Sequence, residues 1–179
     1  MNKSILKRTI TQAMFCVCMS TAVFAQEPKK APASPPMVAT GKVNGAAVTI
    51  NYSSPAVKGR KIWGELVPYQ KVWRAGANQA TIFETDKTLT IQGKTLKPGK
   101  YSLYATPGET EWKIIFNSEV GQWGTTRSGE STVDPTKDVV VATARPAKSS
   151  TFNERLTYTI TPKGFDLKWE NLSVPVVFK

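Results

Sequence analysis

No histidine occurs anywhere in the 179 residues, and that absence removes much enzyme chemistry at the outset. Ser-His-Asp hydrolysis and Cys-His nucleophile pairs both need an imidazole, and most zinc sites use one as a ligand. Cysteine is nearly as scarce. Its two occurrences, Cys16 and Cys18, stand near the N-terminus, so the body of the chain has no thiolate for redox or metal chemistry and no disulfide to staple it. Acids are outnumbered, with 13 Asp and Glu against 24 Lys and Arg. No G-x-x-x-x-G-K-[ST] loop is present to cradle a phosphate, and Gly121, Gly124, Ser128 and Gly129 read as loop flexibility. Long apolar runs are missing too. The apolar stretch Ala13–Met19 falls short of the roughly 20 residues a spanning helix needs, so the chain is expected not to span a membrane.

That short stretch fits an export signal instead. Lys3, Lys7 and Arg8 precede it, and Val23-Phe24-Ala25 supplies small residues for cleavage, with Gln26 as the mature start. The bulky pair Met14-Phe15 before Cys16 argues against a lipid anchor. Residues 1–25 are therefore expected to be removed, and the product to be periplasmic or secreted. Three basic residues leave with the signal, which takes the formal net charge from +11 to +8. Outside the cytoplasm, the anions within reach of a basic protein are envelope polysaccharide, lipid phosphates and acidic partners rather than nucleic acid. Lysines spread along the whole chain also serve plain solubility.

Residues 26–37, QEPKKAPASPPM, have little to bury and read as a Pro/Ala/Lys-rich tether. From Val38 to Lys179 the pattern is strand-like, and the length suits one domain held by its core. Val48, Ile50 and Tyr52 alternate with Thr49, Asn51 and Ser53; Trp112, Ile114 and Phe116 share a face, as do Leu156, Tyr158 and Ile160, then Leu167 and Trp169. Turn residues punctuate these runs at Gln92-Gly93, Pro107-Gly108 and Pro162-Lys163-Gly164, and Pro98-Gly99 has the order of a type II turn. The expected fold is all-β: an antiparallel, jelly-roll-like sandwich of about eight to ten short strands. Two stretches break the rhythm and read as long loops. One is Pro55 to Asn78; the other is Gly121 to Pro135, polar and glycine-rich, with Trp123 as its single apolar anchor.

The first of these carries the candidate site. Lys58, Arg60, Lys61, Lys71 and Arg74 are interleaved there with Trp63, Tyr69 and Trp73. Aromatics offer flat apolar area and guanidinium groups offer oriented donors, so Arg60, Trp63, Tyr69, Trp73, Arg74 and Asn78 are the expected ligand-binding residues. The same aromatics have apolar neighbours in Ile62, Val67 and Val72 and would equally cap the sandwich. Arg74 has Glu65 and Glu84 as candidate partners for a structural ion pair.

The stretch YSSPAVKGRKIWGELVPYQKVWRAGANQATIFETD resembles a bacterial domain-of-unknown-function family, number twenty-nine eleven. The blocks GRKIW, VWRAGANQAT and PGKYSLYA occur together and in order, and the likeness runs on through FDLKWENLSVPVVF. The resemblance implies an exported protein of Gram-negative type. Some members carry appended helical repeats, which this chain is expected to lack. It implies no activity.

The reading that results is a non-catalytic exported binding module for an anionic or glycan ligand of the envelope, with no cofactor and no metal. The alternative is a structural or protein-interaction component of the periplasm, with a protein partner. A third option, a carboxylate-based glycoside hydrolase, would draw two acids from Glu65, Glu84, Asp86, Glu109, Glu111, Glu119, Asp166 and Glu170, but nothing in their spacing pairs any two.

Overall fold

The structure, a computed structural model, describes residues 31–179. The signal segment 1–25 and the first five tether residues lie outside the described residues.

The alternation seen in the sequence becomes ten antiparallel strands: β1 (Pro36–Val43), β2 (Ala46–Ser53), β3 (Thr81–Thr85), β4 (Leu89–Ile91), β5 (Lys94–Leu96), β6 (Gly99–Thr106), β7 (Trp112–Asn117), β8 (Asp138–Ala144), β9 (Ala147–Thr161) and β10 (Gly164–Val177). The all-β expectation holds, and one 3-10 turn at Pro135–Lys137 is the helical element among the described residues. Six strands form one sheet in the order β1-β2-β3-β6-β7-β8. Only the step from β3 to β6 leaves the meander, and the excursion is the β4–β5 hairpin. β9 and β10 form a long two-stranded ribbon that closes over the sheet.

The core lies between sheet and ribbon. Val48 and Ile50 of β2, Phe83 of β3, Leu103 of β6 and Phe116 of β7 meet Leu156, Phe165, Trp169 and Phe178 from the opposite layer, all but a few per cent buried. Phe83 holds the layers together, with ring centroids 5.1 Å from Phe116, 6.1 Å from Phe165 and 5.9 Å from Phe178.

Strand ends follow local chemistry. Asn44-Gly45, at φ +48° and +81°, makes the tight turn from β1 to β2, a conformation with both central residues left-handed that favours this dipeptide. Gln92-Gly93 does the same between β4 and β5. The expected type II turn at Pro98-Gly99 is corrected: Gly99 has φ +151° and is already the first residue of β6, whereas that turn needs about +80°. β1 begins at Pro36, inside the stretch read as a tether, because Pro36 and Met37 pair with Ser53 and Tyr52. Ahead of it the chain is fastened through carbonyls: Asn78 Nδ2 donates to Ser34 O (3.2 Å), Ser54 N to Pro35 O (2.9 Å) and Arg155 Nη1 to Ala33 O (3.4 Å).

Strand β8 ends the six-stranded sheet, and two side chains cover its edge. The Gln92 amide lies against Thr143, with Nε2 donating to Thr143 O at 2.6 Å and Oε1 accepting from Thr143 N at 2.9 Å. Lys94 Nζ donates to Val141 O at 2.6 Å. The β4–β5 turn thus supplies from side chains what a seventh strand would supply from its backbone.

Candidate functional site

The segment Pro55–Asn78 folds across one end of the sandwich. Lys58 and Gly59, at φ +48° and +68°, turn the chain, and Arg60 clamps that turn by donating from Nε to Val57 O (3.0 Å) and from Nη2 to Ala56 O (2.5 Å). Two parts of its guanidinium are therefore committed to the backbone. Farther on, Trp73 N donates to Ala105 O (2.7 Å) and Ala105 N to Trp73 O (2.8 Å), which pins the segment to β6.

Four of the five tryptophans meet below this segment. Trp63 lies 4.8 Å from Trp112, 5.7 Å from Trp169 and 5.9 Å from Trp73, all edge-to-face, while Trp73 stacks on Trp169 at 6.0 Å. Trp63 is only 6% exposed and belongs to the core. Its placement follows from the cluster: an indole with three aromatic neighbours buries more area inward than any surface could offer it. Trp73 is half-buried and reaches the surface. Tyr69, also half-buried, packs against Gly64, where a Cβ would stand 3.0 Å from its ring.

The second long loop, 121–135, comes to the same end of the molecule. It covers the outer face of the sheet, where Tyr104 and Ile115 are buried beneath Val72, Val133 and Val141. The expected anchor, Trp123, is not the residue that does this: it is 56% exposed, and Val133 packs inward instead. Gly124 allows the loop to approach, since a Cβ there would meet Arg74 Cβ at 3.1 Å and Ala80 Cβ at 3.2 Å, with φ at +85°. Between the two segments runs a groove of about 550 Å³, lined by Leu66, Gln70, Lys71, Trp73, Thr125 and Ser128 among others. A second open pocket of about 280 Å³, hereafter the chamber, adjoins it, sharing Leu66, Trp73 and Thr125 and adding Arg60, Arg74 and Trp169.

Arg74 is the electrostatic focus. It is half-buried, donates from Nη1 to Thr125 Oγ1, and holds its guanidinium carbon 5.9 Å from the centroid of the Trp123 ring. Its candidate ion-pair partners are engaged elsewhere, Glu65 with Lys61 at 3.2 Å and Glu84 with Lys100 at 3.5 Å. Among the described residues Arg74 makes no ion pair. Burial accordingly pushes its pKa below the usual arginine value, partly opposed by the nearby Tyr104 phenol.

Of the residues singled out in the sequence, Arg60, Trp73 and Arg74 come together at the groove and its chamber. Trp63 lies beneath them and Tyr69 beside Gly64, while Asn78 is spent on Ser34 O and Ser53 Oγ. Sequence reasoning did not bring in the opposite wall, from Thr125 through Ser131. The available signal was Trp123, a large ring alone in a polar loop. Glu130 is the single carboxylate among the described residues lining groove and chamber, whereas two-acid hydrolysis needs a facing pair.

The architecture and the groove define an all-β sandwich with a loop-built surface groove. Residues 34–178 match the family described as a protein of unknown function, DUF2911, and the chain belongs to that family. No curated protein and no solved structure matches it.

Proposed function

We propose that this protein is a non-catalytic, exported binding module whose groove takes an anionic glycan of the cell envelope. Arg74 is the observation that carries the reading. A half-buried charge without an ion-pair partner is unfavourable in a fold that needs it only for structure. On the wall of the pocket that adjoins the groove the same charge attracts a ligand. Trp123, outside the lining of either pocket but with its ring centroid 5.9 Å from the Arg74 guanidinium carbon, offers an exposed ring for a sugar face, and Thr125, Ser128 and Ser131 add hydroxyls along the groove wall. The sequence features of export support the envelope setting, and N-terminal sequencing of protein recovered outside the cytoplasm should begin at Gln26. An intact Met1 there would refute export.

The test of the groove uses calorimetry with acidic envelope polysaccharide. Arg74→Gln and Trp123→Ala should each weaken binding while melting near the wild-type temperature, and added salt should weaken wild-type binding by screening. Wild-type protein that binds no glycan, or variants that bind as well as wild type, would overturn the reading. The burial of Trp63 favours a second reading, a structural or protein-interaction role in which these aromatics serve the fold. A wild type that binds no glycan would turn the choice toward it.

A further inference from the structure

The buried side-chain atoms that lack a partner among the described residues are Trp63 Nε1, Trp112 Nε1, Trp169 Nε1, Arg74 Nε and Gln122 Nε2. Every one is a donor. Folded proteins leave few buried polar groups unpaired, and here the shortfall is entirely in acceptors. The three indole N–H groups sit inside the aromatic cluster, where Trp63 meets Trp112 at 4.8 Å and Trp169 at 5.7 Å, both edge-to-face, and where an indole N–H can rest on a ring face. Arg74 stands differently, since its side chain lines the 280 Å³ pocket beside the groove. Arg60 lines it as well, with its guanidinium fixed by the Val57 and Ala56 carbonyls, and no Asp or Glu does.

A pocket with two guanidinium groups and no acid suits a group that brings only acceptors. Sugar hydroxyls bring donors and acceptors together, whereas a carboxylate brings acceptors alone. At about 280 Å³ the pocket lies just below the roughly 300–1,000 Å³ of sites for drug-sized ligands, a size suited to one sugar ring with its neighbours outside. We propose that it is a carboxylate-reading subsite, which takes the acid group of one uronic acid residue while the adjoining sugars lie along the outer groove. This rests on the glycan reading above and specifies which glycans the groove selects.

The experiment compares the mature protein's affinity for tetragalacturonate, its fully methyl-esterified form and a sulfated neutral tetrasaccharide, by calorimetry. The ester keeps the rings and removes the charge. The acid should bind at least about tenfold more tightly than the ester, the worth of a charge-assisted hydrogen bond. Arg74→Gln should lower acid affinity toward that of the ester and shrink the preference to below about twofold. Equal binding of acid and ester would overturn the subsite and leave the groove reading standing. Preference for the sulfated oligomer would overturn the carboxylate assignment, as would an Arg74→Gln variant that weakens acid and ester alike. Binding of none of the three would remove both proposals.

Discussion

Trp63 and Arg74 belong to one short segment and answer to opposite demands. Trp63 touches three other indoles and is nearly sealed from water. Truncating it to alanine should cost about 3–5 kcal/mol, the range for a large aromatic removed from a packed core. Arg74 is desolvated without an ion pair, so Arg74→Gln should leave stability within about 0.5 kcal/mol of wild type, or raise it. Urea denaturation of the two variants separates the roles without any ligand. A loss of several kcal/mol in Arg74→Gln would show that the guanidinium serves the fold.

At the scale of elements, the edge of β8 depends on a turn that is not part of its sheet. Gln92 makes two hydrogen bonds with Thr143, and Lys94 reaches Val141 O. Gln92→Ala should cost about 1–3 kcal/mol for the two bonds and open a strand edge to self-association. Sedimentation of the variant should show concentration-dependent dimers or larger species, and a strictly monomeric variant would refute the edge role. Legibility in the sequence varies at the same scale. Period-two alternation and the Gln92-Gly93 turn were readable because strand faces and tight turns depend on near neighbours in the chain. Asn44-Gly45 carried an equally strong turn signal that went unread. Pro98-Gly99 misled, because the pairing of Gly99 with Thr85 drew it into β6 and away from the local preference of the dipeptide. Trp123 misled for another reason: a lone ring in a polar loop looks the same in sequence whether it faces in or out. The groove itself was half legible, since its two walls are separate stretches of chain joined only by tertiary contacts such as Arg74 with Thr125.

Across the whole molecule, buried phenols set the response to alkali. Tyr158 is enclosed between the layers, donates to Ala75 O at 2.7 Å, and has its pKa pushed well above the ordinary value of 10.0 by burial and, secondarily, by Tyr52. Burial raises Tyr104 and Tyr101 in the same direction. The folded chain therefore keeps these protons at pH values where the unfolded chain loses them. Their contribution is complete below about pH 10 and declines as the pH climbs from there toward the folded-state values. Denaturation midpoints measured at rising alkaline pH should fall, and Tyr158→Phe should flatten that fall while lowering stability at neutral pH through the lost hydrogen bond. An unchanged slope in Tyr158→Phe would remove this residue from the account.

The tryptophan cluster has an optical consequence. Indoles stacked or crossed at 4.8–6.0 Å share their excited states, and such coupling produces paired dichroic bands of opposite sign on the long-wavelength side of the peptide absorption. The far-ultraviolet spectrum of this protein will then understate its strand content. In emission the same four rings act as one dim, blue-shifted source, and Trp123, 56% exposed and set apart from them, shines separately in the red. One cuvette therefore holds two reporters, an inner one that brightens or dims with unfolding and an outer one that answers to whatever settles beside Arg74.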